Sequence, residues 1–467
     1  MVRINPEIFR AYDIRGLAEE DLTPEVVYLF GKAAGRYFLA HNERQVLVGR
    51  DNRLSSKRIR DDLVAGLTAA GCRVVDLGEV ITPLLYYGRE RLKINAAIMI
   101  TASHNPPEFN GFKIAFGLAT ISGEEIQKLY HLMEELKEEV PPAIPPPRAD
   151  LVEEHDLSAD YLAMLTERIK LGPRKLKVVV DCGNGTASLF AEEYFTRLGC
   201  EVIPLFCTPD GRFPHHQPDP VQSANLAALR ETVLREGADL GIGFDGDGDR
   251  LGAVDDRGEI IWGDRLMILY WREILPKYPG TTCIVEVKCS QALVEEIKRL
   301  GGKTVFYKTG HSFIKAKMRE VGAVFCGEMS GHMYFADEYY GYDDAFYAAG
   351  RLLRIISRGD RSLSQLLADV PKYYATAETR VGCPDHAKFA VVDRIRQHFQ
   401  KSHAVIDIDG VRVLFPDGWG LVRASNTQPA IVARCEAKTP AALEEITKVL
   451  KDALCAFPEV EAFEWEK

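Results

Sequence analysis

Three aspartates, Asp245, Asp247 and Asp249, alternate with glycine in the segment DGDGDR. Three carboxylates this close repel one another unless a cation neutralises them. Hard oxygen ligands with no histidine or cysteine nearby favour Mg²⁺ over zinc. The segment therefore predicts a magnesium-binding loop, and the alternatives are a solvated acidic turn or a calcium loop that lacks its distal glutamate. Arg250 follows directly and is suited to a bidentate phosphate contact.

Ser103 lies in the segment TASHNP, directly after the apolar run AAIMI. A serine at the end of a strand, before a loop stiffened by Pro106 and Pro107, is a candidate exposed nucleophile. An ordinary serine turn is the alternative. His104 adjoins it, and Lys113 follows in NGFKI. Neighbours on an extended chain point to opposite sides, so His104 need not contact Ser103.

Two further segments carry polar side chains suited to a sugar or a phosphate. In GEMSGH, the alternate residues Glu328, Ser330 and His332 would share one face of an extended loop and could bind hydroxyls. In RASNTQP, a guanidinium, hydroxyls and an amide form a candidate phosphate cradle. Taken singly, such residues are also typical of an ordinary surface. The candidates outside GEMSGH are Arg15, Lys288, His311, Arg423, Ser425, Asn426 and Thr427.

These segments follow a weak internal repeat of strand, helix, strand, helix and strand, which occurs three times. Three segments each contain the end of a helix, with a pair of small residues or glycines, followed by a strand. These segments lie at 67–78, 195–206 and 297–310. The preceding strands lie at 44–51, 176–185 and 281–290, and the following strands at 95–105, 238–250 and 322–332. This alternation predicts open, largely parallel α/β sheets.

The last strand of each repeat leads directly into TASHNP, DGDGDR or GEMSGH. Ligands of open α/β sheets bind beyond the carboxyl ends of the strands. We therefore expect the three segments to meet in one composite site.

The length of 467 residues predicts several domains. A proline-rich stretch at 140–150 and a break near 254–258 suggest boundaries, and the repeat is absent from about residue 370. The expected division is 1–150, 151–254, 255–369 and 370–467, with a smaller α+β domain at the end.

The net charge of −10 argues against binding to nucleic acid or an anionic membrane. Neither a signal peptide nor an apolar run of membrane-spanning length is visible. The ten cysteines are scattered, without CxxC pairs, and indicate buried reduced thiols in a cytoplasmic protein.

Together the four motifs TASHNP, DGDGDR, GEMSGH and RASNTQP resemble those of the α-D-phosphohexomutase superfamily, in family order and over essentially the whole chain. The resemblance implies three tandem related α/β domains with mixed, largely parallel sheets. It also implies a C-terminal α+β domain of the TATA-box-protein-like type and a central cleft.

The resemblance assigns roles to matching residues. Ser103 would carry the phosphoryl group, and Mg²⁺ would be bound by Asp245, Asp247 and Asp249 with a phosphoserine oxygen. Glu328 and Ser330 would bind sugar hydroxyls. The non-reacting phosphate would be bound by Arg423, Ser425, Asn426 and Thr427. His104, Lys113 and His332 are candidates for proton transfer, and the residues expected to line the cleft are Tyr12, Arg15, Arg250, Lys288 and His311.

The resemblance implies a phosphohexomutase that interconverts hexose 1-phosphate and hexose 6-phosphate through a hexose 1,6-bisphosphate, which is also the expected activator. The motifs look most like the phosphomannomutase/phosphoglucomutase branch. The alternatives are a phosphoglucosamine mutase, a metal-dependent sugar phosphatase and a catalytically silent sugar-phosphate-binding protein. The expected partner is a small sugar phosphate, and the expected state is a monomer or small homo-oligomer.

Overall fold

A computed structural model of the chain describes residues 2–117, 119–425 and 429–466. The chain divides into two compact units. The first unit comprises Met1–Gly263 and Ser330–Leu366, and the second comprises Asp264–Met329 and Leu367–Lys467. Among the described residues, no helix is both long and apolar enough to span a membrane.

The strands alternate with helices along the first three quarters of the chain. The strands are β1 (Ile14–Leu17), β2 (Gln45–Arg50), β3 (Arg73–Glu79), β4 (Ala96–Ile100), β5 (Phe109–Phe116), β6 (Ala119–Thr120), β7 (Val152–Glu154), β8 (Lys177–Asp181), β9 (Glu201–Leu205), β10 (Leu240–Phe244), β11 (Leu251–Asp255), β12 (Ile260–Ile261), β13 (Thr282–Glu286), β14 (Lys303–Tyr307), β15 (Phe325–Gly327), β16 (Met333–Phe335), β17 (Tyr374–Ala375), β18 (Thr379–Gly382), β19 (Val405–Ile406), β20 (Val411–Phe415), β21 (Gly418–Ala424) and β22 (Ala430–Ala437). The α-helices are α1 (Pro24–Ala40), α2 (Ser56–Ala70), α3 (Thr82–Leu92), α4 (Glu124–Leu136), α5 (Ser158–Arg168), α6 (Ala191–Arg197), α7 (Ala227–Glu236), α8 (Gly263–Ile274), α9 (Gln291–Arg299), α10 (His311–Val321), α11 (Ala345–Ser357), α12 (Leu363–Leu366), α13 (Asp385–Phe399) and α14 (Pro440–Cys455).

The first unit contains two mixed sheets. One has the order β1-β5-β4-β2-β3-β7, with β6 on β5, and the other has the order β12-β11-β10-β8-β9. In both, the three strands of the repeat lie side by side and parallel, in the order third, first, second. An antiparallel strand then follows the third: β5 beside β4, and β11 beside β10. The predicted repeat is thus present in both sheets, and each sheet is mixed.

The second unit contains a third parallel pair and a separate antiparallel sheet. β13 and β14 pair in parallel, as the repeat predicts. The C-terminal sheet has the order β17-β22-β21-β20-β19, with β18 on β22, and its pairs are antiparallel. Its core includes Val391 and Ile395 of α13 and Ile446 and Leu450 of α14. The predicted C-terminal α+β domain is confirmed.

Helices α1 and α2 pack together unusually closely through a pair of glycines. A Cβ on Gly31 would lie 2.4 Å from the carbonyl oxygen of Leu63, and a Cβ on Gly66 would lie 2.1 Å from that of Tyr28. Backbone oxygens inside helices cannot move without moving the helix. The close approach of the two helices therefore requires glycine at both positions.

We expect Gly66→Ala to destabilise the protein although alanine is the better helix former. The propensity gain is at most about 1 kcal/mol, whereas overpacking a core costs about 1–3 kcal/mol and more against a backbone atom. The measurement is the urea concentration at the unfolding midpoint, followed by circular dichroism. Gly359→Ala is the control, because a Cβ there meets nothing within 4 Å. A Gly66→Ala protein as stable as the parent would contradict this packing.

Candidate active site

The three predicted aspartates lie in the loop that joins β10 to β11. Their side chains are fully buried, and one oxygen of each lies within 4.8 Å of the others. Asp245 Oδ1 accepts the backbone N–H groups of Asp249, at 3.0 Å, and of Arg250, at 3.1 Å. Burial, reinforced by Asp249 and Asp247, raises the pKa of Asp245 well above its usual value. The loop therefore concentrates negative charge where water is excluded.

Lys113 supplies the opposing positive charge from strand β5. Its ammonium donates to Asp247 Oδ2 at 2.6 Å and also to Asp249 Oδ2. Burial works to lower the pKa of Lys113, but the two carboxylates outweigh it and raise that pKa well above its usual value. Burial likewise works to raise the pKa of Asp247, yet Lys113 and a 2.5 Å hydrogen bond from Thr82 Oγ1 lower it. Lys113 and Asp247 are thus both charged at neutral pH.

Two carboxylate oxygens of the loop are left available for a ligand. Within the described residues, Asp247 Oδ1 and Asp249 Oδ1 are buried and accept no hydrogen bond. A buried carboxylate oxygen without a donor is costly and needs a cation or a proton donor. The buried acidic triad could therefore bind a metal ion, and its all-oxygen donor set fits a hard cation.

Ser103 contacts this loop directly, but it is not the exposed group that the sequence predicted. It is only 1% exposed, and its hydroxyl donates to Asp245 Oδ2 at 2.7 Å. The expectation that His104 need not contact Ser103 rested on an extended chain, whereas Ser103 has a left-handed backbone with φ of 51°. Because of this turn, His104 Nδ1 lies 3.2 Å from Ser103 Oγ.

Gly246 allows two loops to touch: the serine loop, residues 101–108 between β4 and β5, and the aspartate loop, residues 245–250 between β10 and β11. A Cβ on Gly246 would lie 2.3 Å from the carbonyl oxygen of Ser103. A side chain there would push the two loops apart and lengthen the hydrogen bond between Ser103 and Asp245. The glycine is therefore required by close approach.

Arg53 binds the backbone of the serine loop through hydrogen bonds. The sequence did not identify this residue. Its guanidinium donates to four carbonyl oxygens, those of Ser103 (2.9 Å), Asn105 (2.6 Å), Pro106 (2.6 Å) and Phe109 (3.1 Å). Its Nε donates to Asp51 at 3.1 Å, and the side chain is buried. Arginine is suited to this role because it presents five N–H donors in one plane. The spacing DNR at 51–53 gave no signal, because the acceptors are distant in sequence.

Two predicted arginines flank the cluster. Arg15 donates to Asn105 Oδ1 at 2.8 Å and to Asp13 at 2.6 Å. Arg250 lies 3.7 Å from Asp245. Burial works to lower the pKa of Arg250, but neighbouring carboxylates, with a smaller effect from Tyr12, raise it. The role predicted for Tyr12 stays a prediction.

His332 lies between Arg250 and two carboxylates. Its Nε2 accepts from Arg250 Nε at 3.0 Å, and its Nδ1 lies 3.1 Å from Asp343 and 3.6 Å from Asp249. Asp249, His332 and Asp343 form a second buried group that could bind a metal ion. The sequence did not single out Asp343, which lies beyond the GEMSGH segment. Asp249 belongs to both groups, so the two compete for it.

The GEMSGH segment is not extended, so its three polar residues do not share one face. A turn occurs at Met329–Ser330, and Gly331 has φ of 93°. Glu328 Oε2 accepts the backbone N–H of Gly310 at 2.9 Å, whereas His332 contacts Arg250 and Asp343. Ser330 is half-buried. The one-face prediction was wrong because it assumed a strand geometry that the turn interrupts.

In the second unit, the buried carboxylate of Glu286 connects the loops after β13, β14 and β15. It accepts from Thr309 Oγ1 at 2.5 Å and from the backbone N–H groups of Lys288 and Met329, both at 3.3 Å. Burial raises the pKa of Glu286. These loops carry the predicted residues Lys288 and Glu328, and His311 begins α10 directly after the second loop; all three are buried. Sequence reasoning did not identify Glu286, since it precedes the loop it organises.

Lys288 and Arg423 are each paired with an acidic side chain of the second unit. Lys288 donates to Glu378 at 2.8 Å, and this lysine outweighs burial to lower the pKa of Glu378 to about 2. Arg423 donates to Asp409 at 2.9 Å, and Asp409 also accepts the backbone N–H of Thr309 at 3.1 Å. Burial works to lower the pKa of both cations, but neighbouring carboxylates outweigh it and raise that pKa, so both stay charged.

The proposed phosphate cradle is described only in part. Ser425 is buried, and its backbone N–H donates to the carbonyl oxygen of Ala430 at 2.9 Å. Asn426 and Thr427 lie outside the described residues. Their predicted contacts with a phosphate therefore stay predictions.

The first-unit cluster combines a hydroxyl, a concentrated set of carboxylates and several cations. A hydroxyl on such a metal-capable loop can accept and return a phosphoryl group, whose negative charge needs neutralising. The arrangement therefore suits phosphoryl transfer at Ser103.

Comparison with known proteins agrees with this chemistry. The chain matches four consecutive phosphoglucomutase/phosphomannomutase domains: alpha/beta/alpha domain I at 6–140, domain II at 159–258, domain III at 262–374 and the C-terminal domain at 378–453. It is 43% identical over 450 residues to a phosphomannomutase/phosphoglucomutase of Pseudomonas aeruginosa, covering 96% of each chain. It is 39% identical over 461 residues to a phosphoglucomutase of Neisseria meningitidis, covering 98% of this chain and 99% of the relative.

The fold is also similar to a solved structure. The crystal structure of a phosphoglucomutase/phosphomannomutase family protein from Burkholderia thailandensis matches with a TM-score of 0.89 and 39% identity, covering 97% of this chain and 98% of the other. The resemblance inferred from the motifs is thereby confirmed. The chain belongs to the phosphoglucomutase/phosphomannomutase family of phosphohexomutases, which are intramolecular phosphotransferases.

Proposed function

We propose that the protein interconverts hexose 1-phosphate and hexose 6-phosphate, with glucose and mannose as the sugars. The phosphoryl group is carried by Ser103, and the intermediate is a hexose 1,6-bisphosphate that also serves as activator. The observation that supports this best is the 2.7 Å hydrogen bond from Ser103 to Asp245 of the buried acidic loop. Family membership gives independent support.

We further propose Mg²⁺ as the metal. Asp245, Asp247 and Asp249 would hold it together with an oxygen on Ser103, because their donors are oxygens and two of them lack a hydrogen bond within the described residues. When bound, the ion would neutralise charge on the phosphoryl group and act as a Lewis acid.

The residues around the metal loop would divide the remaining work. A sugar hydroxyl oxygen attacks the phosphorus of phosphoserine, the bond to Ser103 Oγ breaks, and the hydroxyl proton passes to a base. The ion pairs of Lys113 favour a role as a permanent cation rather than as that base. His104 and His332 are then the proposed proton acceptors, and Arg15 and Arg250 are cations for the transferred phosphate.

The remaining predicted residues would bind the substrate. Glu328, with Ser330 of the neighbouring turn, is proposed for the sugar hydroxyls. Lys288 and His311 are proposed as further polar contacts, as is Tyr12. Arg423, Ser425, Asn426 and Thr427 are proposed for the phosphate that does not react.

Mannose and glucose differ only at C2, so a site that binds O3 and O4 accepts both. The relatives named phosphomannomutase/phosphoglucomutase support this dual specificity over a preference for glucosamine. A sugar phosphatase would release free phosphate, and a silent binding protein would not need the Ser103 hydroxyl on the acidic loop. The names of the relatives favour the mutase over these alternatives.

Four further proposals concern the location of the enzyme, its partner, its oligomeric state and its domain boundaries. A cytoplasmic location is supported by ten free cysteines, since reducing compartments keep thiols unpaired. The partner is a small sugar phosphate, and a monomer or small homo-oligomer stays a prediction. The boundaries 1–150, 151–254, 255–369 and 370–467 likewise stay predictions.

The decisive assay follows glucose 1-phosphate and mannose 1-phosphate to their 6-phosphates with Mg²⁺ and a trace of the hexose 1,6-bisphosphate. We expect comparable turnover of both, and Ser103→Ala to lower kcat by about 10³-fold or more because the phosphoryl carrier is gone. Ser402→Ala, an exposed serine of the C-terminal domain, is the control.

Glucosamine 1-phosphate and phosphate release complete that assay. Preference for glucosamine would reject the proposed specificity but keep the mechanism. Release of free phosphate without isomerisation would identify a phosphatase. No reaction with any sugar would reject the proposed function.

The two candidate metal groups can be separated by mutation, because only Asp249 is common to both. Asp247→Asn should raise the Mg²⁺ concentration for half-maximal activity at least about tenfold, since a ligand is lost. Asp343→Asn should leave that concentration unchanged. It should lower kcat, because Asp343 lies beside His332, a proposed proton acceptor. The measurement is activity against free Mg²⁺ after chelator treatment. The reverse pattern would assign the metal to the histidine group.

Arg53 is expected to act as a positioning residue for the serine loop. Lysine cannot donate to four carbonyl oxygens at once, so Arg53→Lys should lower kcat about 10- to 100-fold by loosening the loop. KM for the sugar phosphate should not change, because Arg53 does not bind substrate. Arg50→Lys, a half-buried neighbour paired with Glu79, is the control. A change in KM with kcat preserved would contradict this role.

A further inference from the structure

Two cysteines of the first unit are in direct contact. Cys182 follows β8 directly, and Cys207 lies two residues beyond β9. Their sulfurs are 3.2 Å apart although the two residues are 25 positions apart in sequence. Cys182 is buried, whereas part of Cys207 reaches solvent. The sequence alone showed only scattered cysteines without CxxC spacing. Their contact arises because β8 and β9 are adjacent parallel strands.

The two thiols differ in chemistry. The contact with Cys182 lowers the pKa of Cys207, while burial raises the pKa of Cys182 well above its usual value. The thiolate is the reactive form of cysteine, so Cys207 is the better nucleophile as well as the more accessible one. Cys182 lies where it can displace whatever Cys207 has bound. The arrangement is that of an attacking thiol and a resolving thiol.

We propose that Cys182 and Cys207 form a reversible disulfide, a modification site distinct from the phosphoryl-transfer site. The oxidant is a low-molecular-weight disulfide such as oxidised glutathione. The Cys207 thiolate attacks one of its sulfurs, which forms a mixed disulfide and releases one thiolate. Cys182 then attacks Cys207 Sγ, which forms the protein disulfide, and its proton passes to the departing second thiolate, which leaves as a thiol. Two protein thiols are oxidised, and one external disulfide is reduced to two thiols.

The pair is connected to the aspartate loop through the residues that follow Cys182. Asn184 links the two cysteine segments, since it donates to Thr208 O at 2.8 Å and accepts from the backbone of Asp210 at 2.9 Å. The backbone N–H of Thr186 donates to Gly246 O at 3.0 Å. A movement at Cys182 therefore passes through four residues to the loop that contacts Ser103.

The disulfide requires a movement of this kind. A disulfide bond is about 2.05 Å long, so the two sulfurs must approach by about 1 Å. Displacements of about 1 Å near a catalytic group can lower turnover up to about a hundredfold. We expect oxidation to lower mutase turnover about tenfold and reduction with dithiothreitol to restore it. This second expectation rests on the proposed function, whereas formation of the disulfide does not.

The test equilibrates the full chain with glutathione buffers of rising oxidised fraction, followed by alkylation and peptide mass mapping. We expect a linked peptide containing Cys182 and Cys207, absent from Cys182→Ser and Cys207→Ser. Cys200→Ser is the control: it is another half-buried cysteine of the same sheet region, and its linked peptide should persist. The exposed Cys455 reports that the oxidant works, through its mixed disulfide.

Each outcome decides one part of the proposal. No linked peptide at any buffer composition, with Cys455 modified, would overturn the disulfide. A linked peptide with unchanged turnover would overturn the coupling to the aspartate loop. Turnover that falls on oxidation equally in Cys207→Ser would assign the effect to another thiol. A protein without mutase activity would reject the proposed function, while the peptide map would still decide the disulfide.

Discussion

The charge balance of the aspartate loop is the constraint on which the first unit depends. Burying three carboxylates without compensation would cost far more than a small protein domain can supply. The compensation comes from Lys113 on β5, from Thr82 at the start of α3 and from backbone N–H groups of the loop itself. Two different sheets must therefore come together before the aspartates can be buried.

The serine loop is fixed by a different device, the buried guanidinium of Arg53. Four carbonyl oxygens that point at one side chain leave the loop little freedom. Such preorganisation lets electrostatic stabilisation act without a reorganisation cost during the reaction. In the second unit, Glu286 performs the complementary task, because it accepts hydrogen bonds from loops after three strands.

The sequence predicts most of the architecture and the identities of the motifs, but not the groups that support them. The repeat is visible because helix ends and strands are local signals, and the two sheets of the first unit confirm two of its three copies. Arg53, Asp343 and Glu286 were not identified, since their partners are brought near only by the fold. The sequence predicted an exposed Ser103, which the fold buries, and it left the contact with His104 open. That contact depends on a single left-handed residue, which is not encoded by any pattern. The GEMSGH segment was wrongly predicted to be extended, because the positive φ of Gly331 is likewise not encoded by any pattern.

The contact between Gly246 and the carbonyl oxygen of Ser103 also constrains how this enzyme can evolve. The two loops belong to different sheets. The gap between Gly246 and the carbonyl oxygen of Ser103 is too small for one additional carbon atom, so neither loop tolerates a bulkier or displaced partner. A substitution in one loop preserves function only when the other loop is compatible with it. This dependence of one substitution on another is epistasis. Recombination between relatives would then preserve function when both loops are inherited together. The unit of exchange is the loop pair rather than the individual domain.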